Sequence, residues 1–339
     1  MDAISSRRRA LVTGASGFVG AHLVARLLGE GTEVVTLLAD WKPESLLFRT
    51  GMIDQVRVHV GGVEDFDLVD KVIRGERVDT VFHLAATAVE GVAFERPLGA
   101  FEVNIRGTYN LLEACRANAN QVARVVVASS DKAYGDVPRL PYTEDMPMAG
   151  RHPYDVSKSC ADLISRSYHS SFGMPVTIGR FGNIFGAGDV NYSRLVPGTI
   201  RRLLDGEAPV VRVATQGEFS RDFLYVADAV DAYLAMSDGL DSGVAEGEGF
   251  NFAMGHSLSP ERVVRDIQRL MGREEIEPRL EPQGHGEIVN QQIANDKAER
   301  LLGWVPRHTL AEGLAETIAW YQEHLAGATG TGAALEPVG

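Results

Sequence analysis

A glycine-rich turn near the start of the chain restricts the possible folds more than any other stretch. The apolar residues Ala10-Leu11-Val12 lead into Thr13-Gly14-Ala15-Ser16-Gly17-Phe18-Val19-Gly20, and an apolar helical pattern continues to Leu28. Glycine is needed where the backbone passes close to a pyrophosphate, and the start of the following helix offers amide groups to its negative charge. The sequence therefore predicts a dinucleotide site formed by Gly14, Ser16, Gly17, Phe18, Val19 and Gly20.

Strand and helix patterns alternate after this turn. Strands are predicted at residues 33–38, 56–60, 79–86, 125–127 and 176–181, and helices at 68–73, 100–115 and 154–172. Such alternation is typical of a parallel sheet that is covered by helices on both faces. We therefore expect an α/β fold, a doubly wound parallel sheet of the Rossmann type, in which residues 1–182 form the nucleotide-binding domain.

The sequence pattern changes after Gly182, where glycine and proline become frequent. Helices are predicted at 197–204, from the cap Ser259 to Met271, and at 310–325. Strand patterns at 221–226 and 249–253 lead us to expect that residues 222–254 return to the main sheet. We expect a smaller C-terminal α/β substrate-binding domain, residues 183–221 and 255–325, and a disordered tail, residues 326–339.

A second polar stretch follows a run of β-branched residues. Val125-Val126-Val127 leads into Ser129-Ser130-Asp131-Lys132, and ligands bind at the carboxyl ends of buried parallel strands. Tyr154 and Lys158 lie four residues apart in PYDVSK, on one face of the predicted helix. A cation about 4 to 5 Å from a phenol lowers the pKa of the phenol by roughly two to three units. We therefore expect Lys158 to lower the pKa of Tyr154 toward neutrality, although this spacing also occurs by chance in residues that only pack.

Further residues at the strand ends are candidates for contact with the dinucleotide. Asp40 follows the second strand, where a carboxylate can bind the ribose hydroxyls. No arginine stands at that turn to receive a 2′-phosphate, which favours NAD over NADP. Asn104 either holds the strand-end backbone near Ser130 or makes an ordinary buried hydrogen bond. The strand at 79–86 ends in residues that would let a cofactor lie flat: Leu84, Ala85 and Ala86.

Charge and composition argue against several other classes of function. The formal net charge of −13 disfavours nucleic acid or an anionic membrane as a partner, because both are negatively charged. No apolar run has the length of a membrane span, and the chain does not begin with a signal-peptide core. Cys115 and Cys160 have no metal-ligand spacing, so we expect no metal site and a reduced, cytoplasmic protein.

Ordered motifs along nearly the whole chain resemble the extended short-chain dehydrogenase/reductases that act on nucleotide-sugars. These motifs are TGASGFVG, VFHLAA, NIRGTYNLLEA, SSDKAYG, PYDVSK, RFGNIFGAGD, RDFLYVADAV and DKAERLLGWVP. Within that family, SSDKAYG, PYTEDMPMAGRHPYDVSK, GNIFGAGD and Arg194-Leu195-Val196-Pro197 are most similar to the CDP-glucose 4,6-dehydratases. RDFLYV follows the general family pattern, whereas these dehydratases usually diverge there, so the nucleobase stays open.

The resemblance implies a catalytic role for each of five residues. Tyr154 would take the proton of the carbon 4 hydroxyl as hydride passes to NAD, with Ser130 hydrogen-bonded to the same oxygen. Lys158 would hold the ribose. Asp131 would protonate the departing carbon 6 hydroxyl, and Lys132 would remove the carbon 5 proton.

The resemblance also implies a substrate, a partner and an alternative reaction. Asn183 and Arg221 match positions that bind the diphosphate of a nucleoside-diphosphate sugar, and Arg194 matches a position on the nucleotide side. Val63 or the backbone would contact the adenine, because Gly62 replaces the family's usual aspartate. Simple 4-epimerases usually have small residues where this chain has Asp131 and Lys132, which favours a 4,6-dehydratase. A 4-epimerase is the alternative reaction. A purely structural ion pair between Asp131 and Lys132 also stays open. A homodimer is expected through the helices at 100–117 and 154–172.

Overall fold

The computed structural model describes residues 8–213, 219–282 and 288–326. Its strands, in chain order, are β1 (Arg9–Thr13), β2 (Glu33–Leu38), β3 (Arg57–Val60), β4 (Thr80–His83), β5 (Arg124–Ser130), β6 (Val176–Phe181), β7 (Asn183–Phe185), β8 (Val210–Val213), β9 (Arg221–Tyr225), β10 (Gly249–Phe252), β11 (Ser257–Leu258) and β12 (Arg279–Pro282). Its helices are α1 (Phe18–Gly29), α2 (Leu46–Arg49), α3 (Phe66–Glu76), α4 (Glu90–Glu95), α5 (Pro97–Phe101), α6 (Gly107–Ala117), α7 (Pro153–Phe172), α8 (Leu195–Leu204), α9 (Val226–Asp241), α10 (Pro260–Met271), α11 (Asp296–Leu302) and α12 (Leu310–Ala326). The predicted tail lies outside the described residues, except for Ala326 at the end of α12.

A seven-stranded sheet forms the centre of the fold. Its strands follow the order β10-β6-β5-β4-β1-β2-β3, and every neighbouring pair is parallel. The chain order reverses between β1 and β4, which opens a crevice at the carboxyl ends of these two strands. The predicted doubly wound sheet of the Rossmann type is confirmed.

Successive side chains of the central strands pack on opposite faces of this sheet. Val126 of β5 belongs to the apolar cluster under α1 and α9, whereas Val125 and Val127 belong to the cluster under α3, α6 and α7. All three valines are fully buried. Because β5 is covered on both sides, its sequence is a continuous apolar run rather than an alternation.

A smaller sheet begins where β6 ends. After Gly182 the chain continues into β7, which pairs in parallel with β9, while β11 pairs antiparallel with β9. The expectation that residues 222–254 return to the main sheet is therefore wrong for β9 and correct for β10, which pairs with β6. Both strands are short and buried, and local sequence does not specify which strand edge such a segment joins. The other domain boundaries stay a prediction.

The C-terminal part of the chain has an apolar core of its own. Phe185, Phe223 and Tyr225 of the small sheet pack with side chains from α8, α10 and α12. This core fixes the start of β9 and the start of α8 relative to the main sheet. Arg221 and Arg194, which stand at these two points, are thereby held at the carboxyl edge of β6.

The helix predicted at 100–115 is divided into α5, a π-helical turn over Glu102–Arg106, and α6. The turn contains Asn104. At the start of α6, a Cβ atom on Gly107 would lie 2.3 Å from Cγ2 of Val63. Glycine is therefore required for the close approach of α6 to the loop after β3.

The described ranges contain neither a membrane-spanning helix nor a cluster of metal-ligating side chains. None of their helices is long and apolar enough to cross a lipid bilayer. These ranges contain no group of three or more His, Cys, Asp or Glu side chains arranged to hold a metal ion. Cys115 is a buried free thiol whose pKa is raised by burial, and Cys160 is a half-buried one.

Candidate active site

The predicted functional residues meet at the carboxyl edge of the main sheet. Thr13 at the end of β1 pairs with His83 of β4, and His83 pairs with Val127 of β5. The segments that follow these three strands therefore lie side by side. Helix α7, which carries Tyr154 and Lys158, packs against β5 and against the 3₁₀ turn Asp131–Tyr134.

The glycine turn after β1 has the shape required for a pyrophosphate. Gly14 has a φ of +75°, and a Cβ atom there would lie 2.8 Å from the backbone nitrogen of Ala85. A Cβ atom on Gly20 would lie 2.1 Å from the carbonyl oxygen of Gly14. Gly17 caps α1 without a side chain that binds the first amide groups of the helix. The turn, including Ser16, Phe18 and Val19, therefore fits the phosphates of a dinucleotide.

Asn104 fastens the loop after β4, though not at the point expected. Its Oδ1 accepts a hydrogen bond from the backbone nitrogen of Thr87 at 2.7 Å. Its Nδ2 donates to the carbonyl oxygen of Thr87 at 3.2 Å and to Oγ of Ser157 at 2.9 Å. The predicted contact with the backbone near Ser130 is wrong, because Thr87 and Ser157 occupy this amide. A contact between Asn104 and the cofactor stays a prediction.

The residues predicted for the adenosine half of the cofactor lie along the same edge. Asp40 directly follows β2, and its exposed carboxylate lies 3.1 Å from the ammonium group of Lys42. Val63 follows β3 and is buried. Leu84, Ala85 and Ala86, which are half-buried, follow β4 beside the glycine turn. Their contacts with ribose, adenine and nicotinamide stay predictions.

Asp131 is a buried acid at this edge, with 1% of its surface exposed. Its Oδ1 accepts a hydrogen bond from Oγ of Ser130 at 3.0 Å, and its Oδ2 accepts one from Nε2 of Gln291 at 2.7 Å. Burial raises the pKa of Asp131, while the charge of Lys132, the hydrogen bond from Ser130 and the charge of Arg221 act in the opposite direction. A carboxyl group with a raised pKa retains its proton closer to neutral pH, as a proton donor must.

Gln291 reaches Asp131 from a segment far along the chain. Its side chain is fully buried, and its backbone nitrogen donates to the carbonyl oxygen of Ser220 at 3.1 Å. The backbone nitrogen of Ile293 donates to Oδ2 of Asp222 at 3.1 Å. Burial, the largest cause, raises the pKa of Asp222 to about 7. The C-terminal part of the chain thereby closes one side of the pocket around Asp131.

Lys132 is paired with Glu90, a residue that the sequence analysis did not single out. The Nζ atom of Lys132 contacts Oε1 of Glu90. The Lys132 side chain is 10% exposed, whereas that of Glu90, the first residue of α4, is 40% exposed. The ion pair within Asp131–Lys132 that was considered as a structural alternative is not formed, because the two residues have separate partners.

Tyr154 and Lys158 lie where predicted, but their electrostatics differ from the expectation. Nζ of Lys158 donates to the carbonyl oxygen of Ala128 at 2.9 Å, and burial lowers the pKa of Lys158 to about 8. Burial, followed by the charge of Glu90, raises the pKa of Tyr154, although a hydrogen bond with Ser130 lowers it. The expected lowering of the Tyr154 pKa is therefore wrong for the protein alone, since removal of the phenol from water outweighs the effects that favour ionisation.

The three residues predicted to bind the substrate border the same site. Arg221 is buried, and its NH1 donates to the carbonyl oxygens of Ser220 at 2.9 Å and Val289 at 3.1 Å. Arg194 precedes α8 and is close enough for its charge to lower the pKa of Tyr154. Asn183 begins β7, next to β9. The structure thus brings Arg221 close enough to act on Asp131 and Arg194 close enough to act on Tyr154, while a role for Asn183 stays a prediction.

Sequence reasoning missed Glu90 and Gln291 for different reasons. Glu90 was detectable, because an acid four residues after Ala86 falls on the edge where β4 ends. Gln291 stands in no recognisable strand or helix pattern. Its position follows from the contacts of residues 288–295 with Ser220 and Asp222, which are specified only by the complete fold.

Comparisons with known proteins agree with this arrangement. The chain is 28% identical over 336 residues to the CDP-glucose 4,6-dehydratase of Salmonella typhimurium, covering 94% of this chain and 92% of that one. It is 30% identical over 333 residues to the UDP-glucose 4-epimerase of Mycolicibacterium smegmatis, covering 93% of this chain and 98% of that one. The crystal structure of the dTDP-glucose 4,6-dehydratase of Streptomyces venezuelae, with NAD bound, superimposes with a TM-score of 0.83 at 27% identity, covering 94% of this chain and 98% of that one.

Dehydratases and epimerases resemble the chain to a similar degree, so likeness alone identifies the family and not the reaction. The family model that matches, over residues 10–253, describes the NAD dependent epimerase/dehydratase family. The match spans the glycine turn, Asp131, Tyr154 and Lys158. The resemblance and the cofactor NAD that the sequence predicted are confirmed. The chain belongs to the NAD dependent epimerase/dehydratase family.

Proposed function

We propose that the protein is a nucleotide-sugar 4,6-dehydratase, which converts a nucleoside-diphosphate hexose into the 4-keto-6-deoxy sugar. The observation that carries the proposal is the buried carboxyl group of Asp131, which has a raised pKa and lies next to Ser130 and Lys132. Loss of water across carbons 5 and 6 requires an acid for the departing hydroxyl group. Inversion at carbon 4 alone requires no such acid.

The reaction begins at carbon 4, because only a ketone there makes the hydrogen on carbon 5 acidic. NAD, when bound, accepts the hydride of carbon 4 and later returns it to carbon 6. Tyr154 takes the proton of the carbon 4 hydroxyl, and Ser130, which is hydrogen-bonded to Tyr154, holds the same oxygen. Lys158, near the end of β5, binds the ribose.

The elimination follows. Asp131 gives its proton to the carbon 6 hydroxyl, which leaves as water, while a base takes the proton of carbon 5. Two groups that contact each other, Lys132 and Glu90, are candidates for this base. Asp131 is then reprotonated by the proton that Tyr154 took from the carbon 4 hydroxyl. The catalyst thereby returns to its starting state.

The substrate is held by its diphosphate and its nucleotide. Arginine forms paired hydrogen bonds with phosphate oxygens, and its charge offsets the two negative groups. We assign the diphosphate to Arg221 and Asn183 and the nucleotide side to Arg194. The net charge of −13 is no obstacle, because these arginines are local to the site.

The alternative function is a nucleotide-sugar 4-epimerase. Tyr154, Lys158 and Ser130 are sufficient for transient oxidation at carbon 4, and one relative with this activity is 30% identical to the chain. In that case Asp131 and Lys132 would have no proton to transfer. The alternative therefore predicts that substitutions at these two residues leave turnover largely intact.

The test is incubation with CDP-glucose, dTDP-glucose, UDP-glucose and UDP-N-acetylglucosamine, followed by mass spectrometry of the products. We expect one of them to lose the mass of one water and to gain a 4-keto group. The Asp131→Asn variant serves as the matched control and should give no water loss. Unchanged mass with inversion at carbon 4 would establish the epimerase.

We also propose a homodimer through α6 and α7. The outer surfaces of these helices and of α5 expose large apolar side chains, which is unusual for a face that meets only water. These are Leu98 (72% exposed), Tyr109 (39%), Leu163 (55%) and Phe172 (59%). Sedimentation at micromolar concentration should give a dimer, and Leu163→Arg should shift it toward the monomer. A wild-type monomer would contradict the proposal.

A further inference from the structure

Glu90 lies where a sugar that loses water needs a base. This inference rests on the dehydratase function proposed above. Carbon 5 is bonded to both carbon 4 and carbon 6, so the base must be within reach of Tyr154 and of Asp131. Glu90 contacts Lys132, the neighbour of Asp131, and among charged groups it has the largest effect on the pKa of Tyr154.

In the Glu90–Lys132 pair, only one partner is able to accept a proton. Their contact at ion-pair distance places an ammonium group against a carboxylate. An ammonium group has donors only, whereas a carboxylate has acceptors only. Lys132, as it is paired here, therefore has no lone pair for the hydrogen of carbon 5, and Glu90 has one.

The surroundings of the pair distinguish it from an ordinary ion pair on the surface. Exposed pairs contribute little and are often incidental. Here the Lys132 side chain is only 10% exposed, while the Glu90 side chain is 40% exposed and therefore accessible. Glu90 comes from the end of β4 and Asp131 from the end of β5, so a base and an acid approach the sugar from two neighbouring strands.

We propose that the carboxylate of Glu90, and not Lys132, removes the proton from carbon 5. The electron pair of the broken C5–H bond forms the C5–C6 double bond, the C6–O bond breaks, and the hydroxyl leaves as water with the proton of Asp131. When the hydride is returned to carbon 6, Glu90 returns its proton to carbon 5. Lys132 is a positioning residue that holds the carboxylate in place and in its ionised form.

The test compares the variants Glu90→Gln and Glu95→Gln in the enzyme with its NAD. Glu95 lies at the other end of α4 and is exposed, so it receives the same substitution outside the site. The measurements are exchange of the carbon 5 hydrogen with solvent deuterium, loss of water, and the absorbance of reduced nicotinamide. In Glu90→Gln we expect exchange and water loss to fall by roughly 100-fold or more, while reduced nicotinamide accumulates because oxidation at carbon 4 persists. Glu95→Gln should match the wild type.

The opposite assignment gives the opposite result. If Lys132 is the base, removing the charge of Glu90 makes the ammonium group of Lys132 release its proton more readily. Exchange of the carbon 5 hydrogen at neutral pH then persists or becomes faster, and this result overturns the inference. Thermal unfolding and the amount of bound NAD establish that Glu90→Gln is folded. If the wild-type enzyme catalyses neither exchange of the carbon 5 hydrogen nor loss of water from the sugar, the dehydratase function itself is refuted. If the wild type is active and Glu90→Gln is equally active, only the role of Glu90 is refuted.

Discussion

Helix α7 contributes to two clusters of charge that are built differently. In its middle, Asp162 accepts hydrogen bonds from Nε and NH2 of Arg180 on β6, at 2.7 and 3.0 Å. NH1 of the same arginine donates to the hydroxyl group of Tyr134 at 2.6 Å. Neither Asp162 nor Arg180 is exposed to solvent. In the first turns of α7, Tyr154 and Lys158 instead lie beside the end of β5, where Lys158 donates to the carbonyl oxygen of Ala128.

The two clusters differ in how completely their charges are paired. Burial lowers the pKa of Arg180, but the hydrogen bond with Asp162, the charge of Asp162 and the contact with Tyr134 together outweigh burial and raise it, so this charge is fixed. At the sheet edge, burial is the largest cause of each pKa shift and favours the neutral form of each group. It raises the pKa values of Asp131 and Tyr154 and lowers that of Lys158. Complete pairing makes a buried charge structural, and incomplete pairing leaves protons that a reaction can use. Three substitutions test this contrast.

The largest expected effect is that of Asp131→Asn on the rate. An amide keeps the shape of the carboxyl group, and Gln291 can rotate its own amide to accept from the new one. The proton donor is lost, so water loss should slow by roughly 10²- to 10⁴-fold. Product mass per unit time measures this rate. Denaturant unfolding should show a free energy of unfolding close to that of the wild type, and a large loss of stability would mean that Asp131 is structural, like Asp162.

Asp162→Ala should have the next largest effect, on stability. It leaves Arg180 buried without a counter-charge, which costs about 3 to 5 kcal/mol of unfolding free energy. Denaturant unfolding measures the loss. Arg166→Ala is the matched control, because Arg166 pairs with the same carboxylate but is 37% exposed, and it should cost about 1 kcal/mol or less. Equal losses from both variants would remove the distinction between the two clusters.

Lys158→Met should change stability by less than Asp162→Ala does, and in the opposite direction. The pKa of Lys158 is about 8 in the folded protein against 10.5 for an unperturbed lysine, so the unfolded chain binds this proton more tightly. The resulting destabilisation is absent above pH 10.5, develops as pH falls toward 8, and is complete below 8, where it amounts to about 3 kcal/mol. Lys158→Met should therefore be inactive but more stable than the wild type at pH 7. The gain is at most this amount, because the hydrogen bond from Lys158 to Ala128 is lost as well.

The comparison for Lys158→Met is denaturant unfolding of nucleotide-free protein at pH 7 and pH 10. The gain in unfolding free energy should shrink at the higher pH. A variant that is less stable at pH 7 would show that Lys158 supports the fold through its hydrogen bond to Ala128.

The sequence predicted the parts of this site that depend on local spacing. The turn from Gly14 to Gly20 is recognisable because each of its glycines is required by a close backbone contact near the end of the strand. Tyr154 and Lys158 are recognisable because one helical turn separates them. For the same reason most of the main sheet was predicted correctly, since β1, β2 and β5 are marked by apolar runs.

The sequence did not predict what depends on distant segments. Glu90 and Lys132 are held together by neighbouring strands, and Gln291 reaches Asp131 across the whole C-terminal part of the chain. β9 joined β7 because Gly182 extends the chain beyond the main sheet. The raised pKa of Tyr154 was missed because spacing reports the distance to a cation but not the extent of burial.

The most direct measurement of the proposed reaction follows a deuterium label placed on carbon 4 of the nucleotide-sugar. Transient oxidation with return of the hydride to carbon 6 predicts a product lighter by one water that carries the label in its new methyl group. Label found at carbon 4 of a sugar of unchanged mass and inverted configuration at that carbon would contradict the account and identify an epimerase.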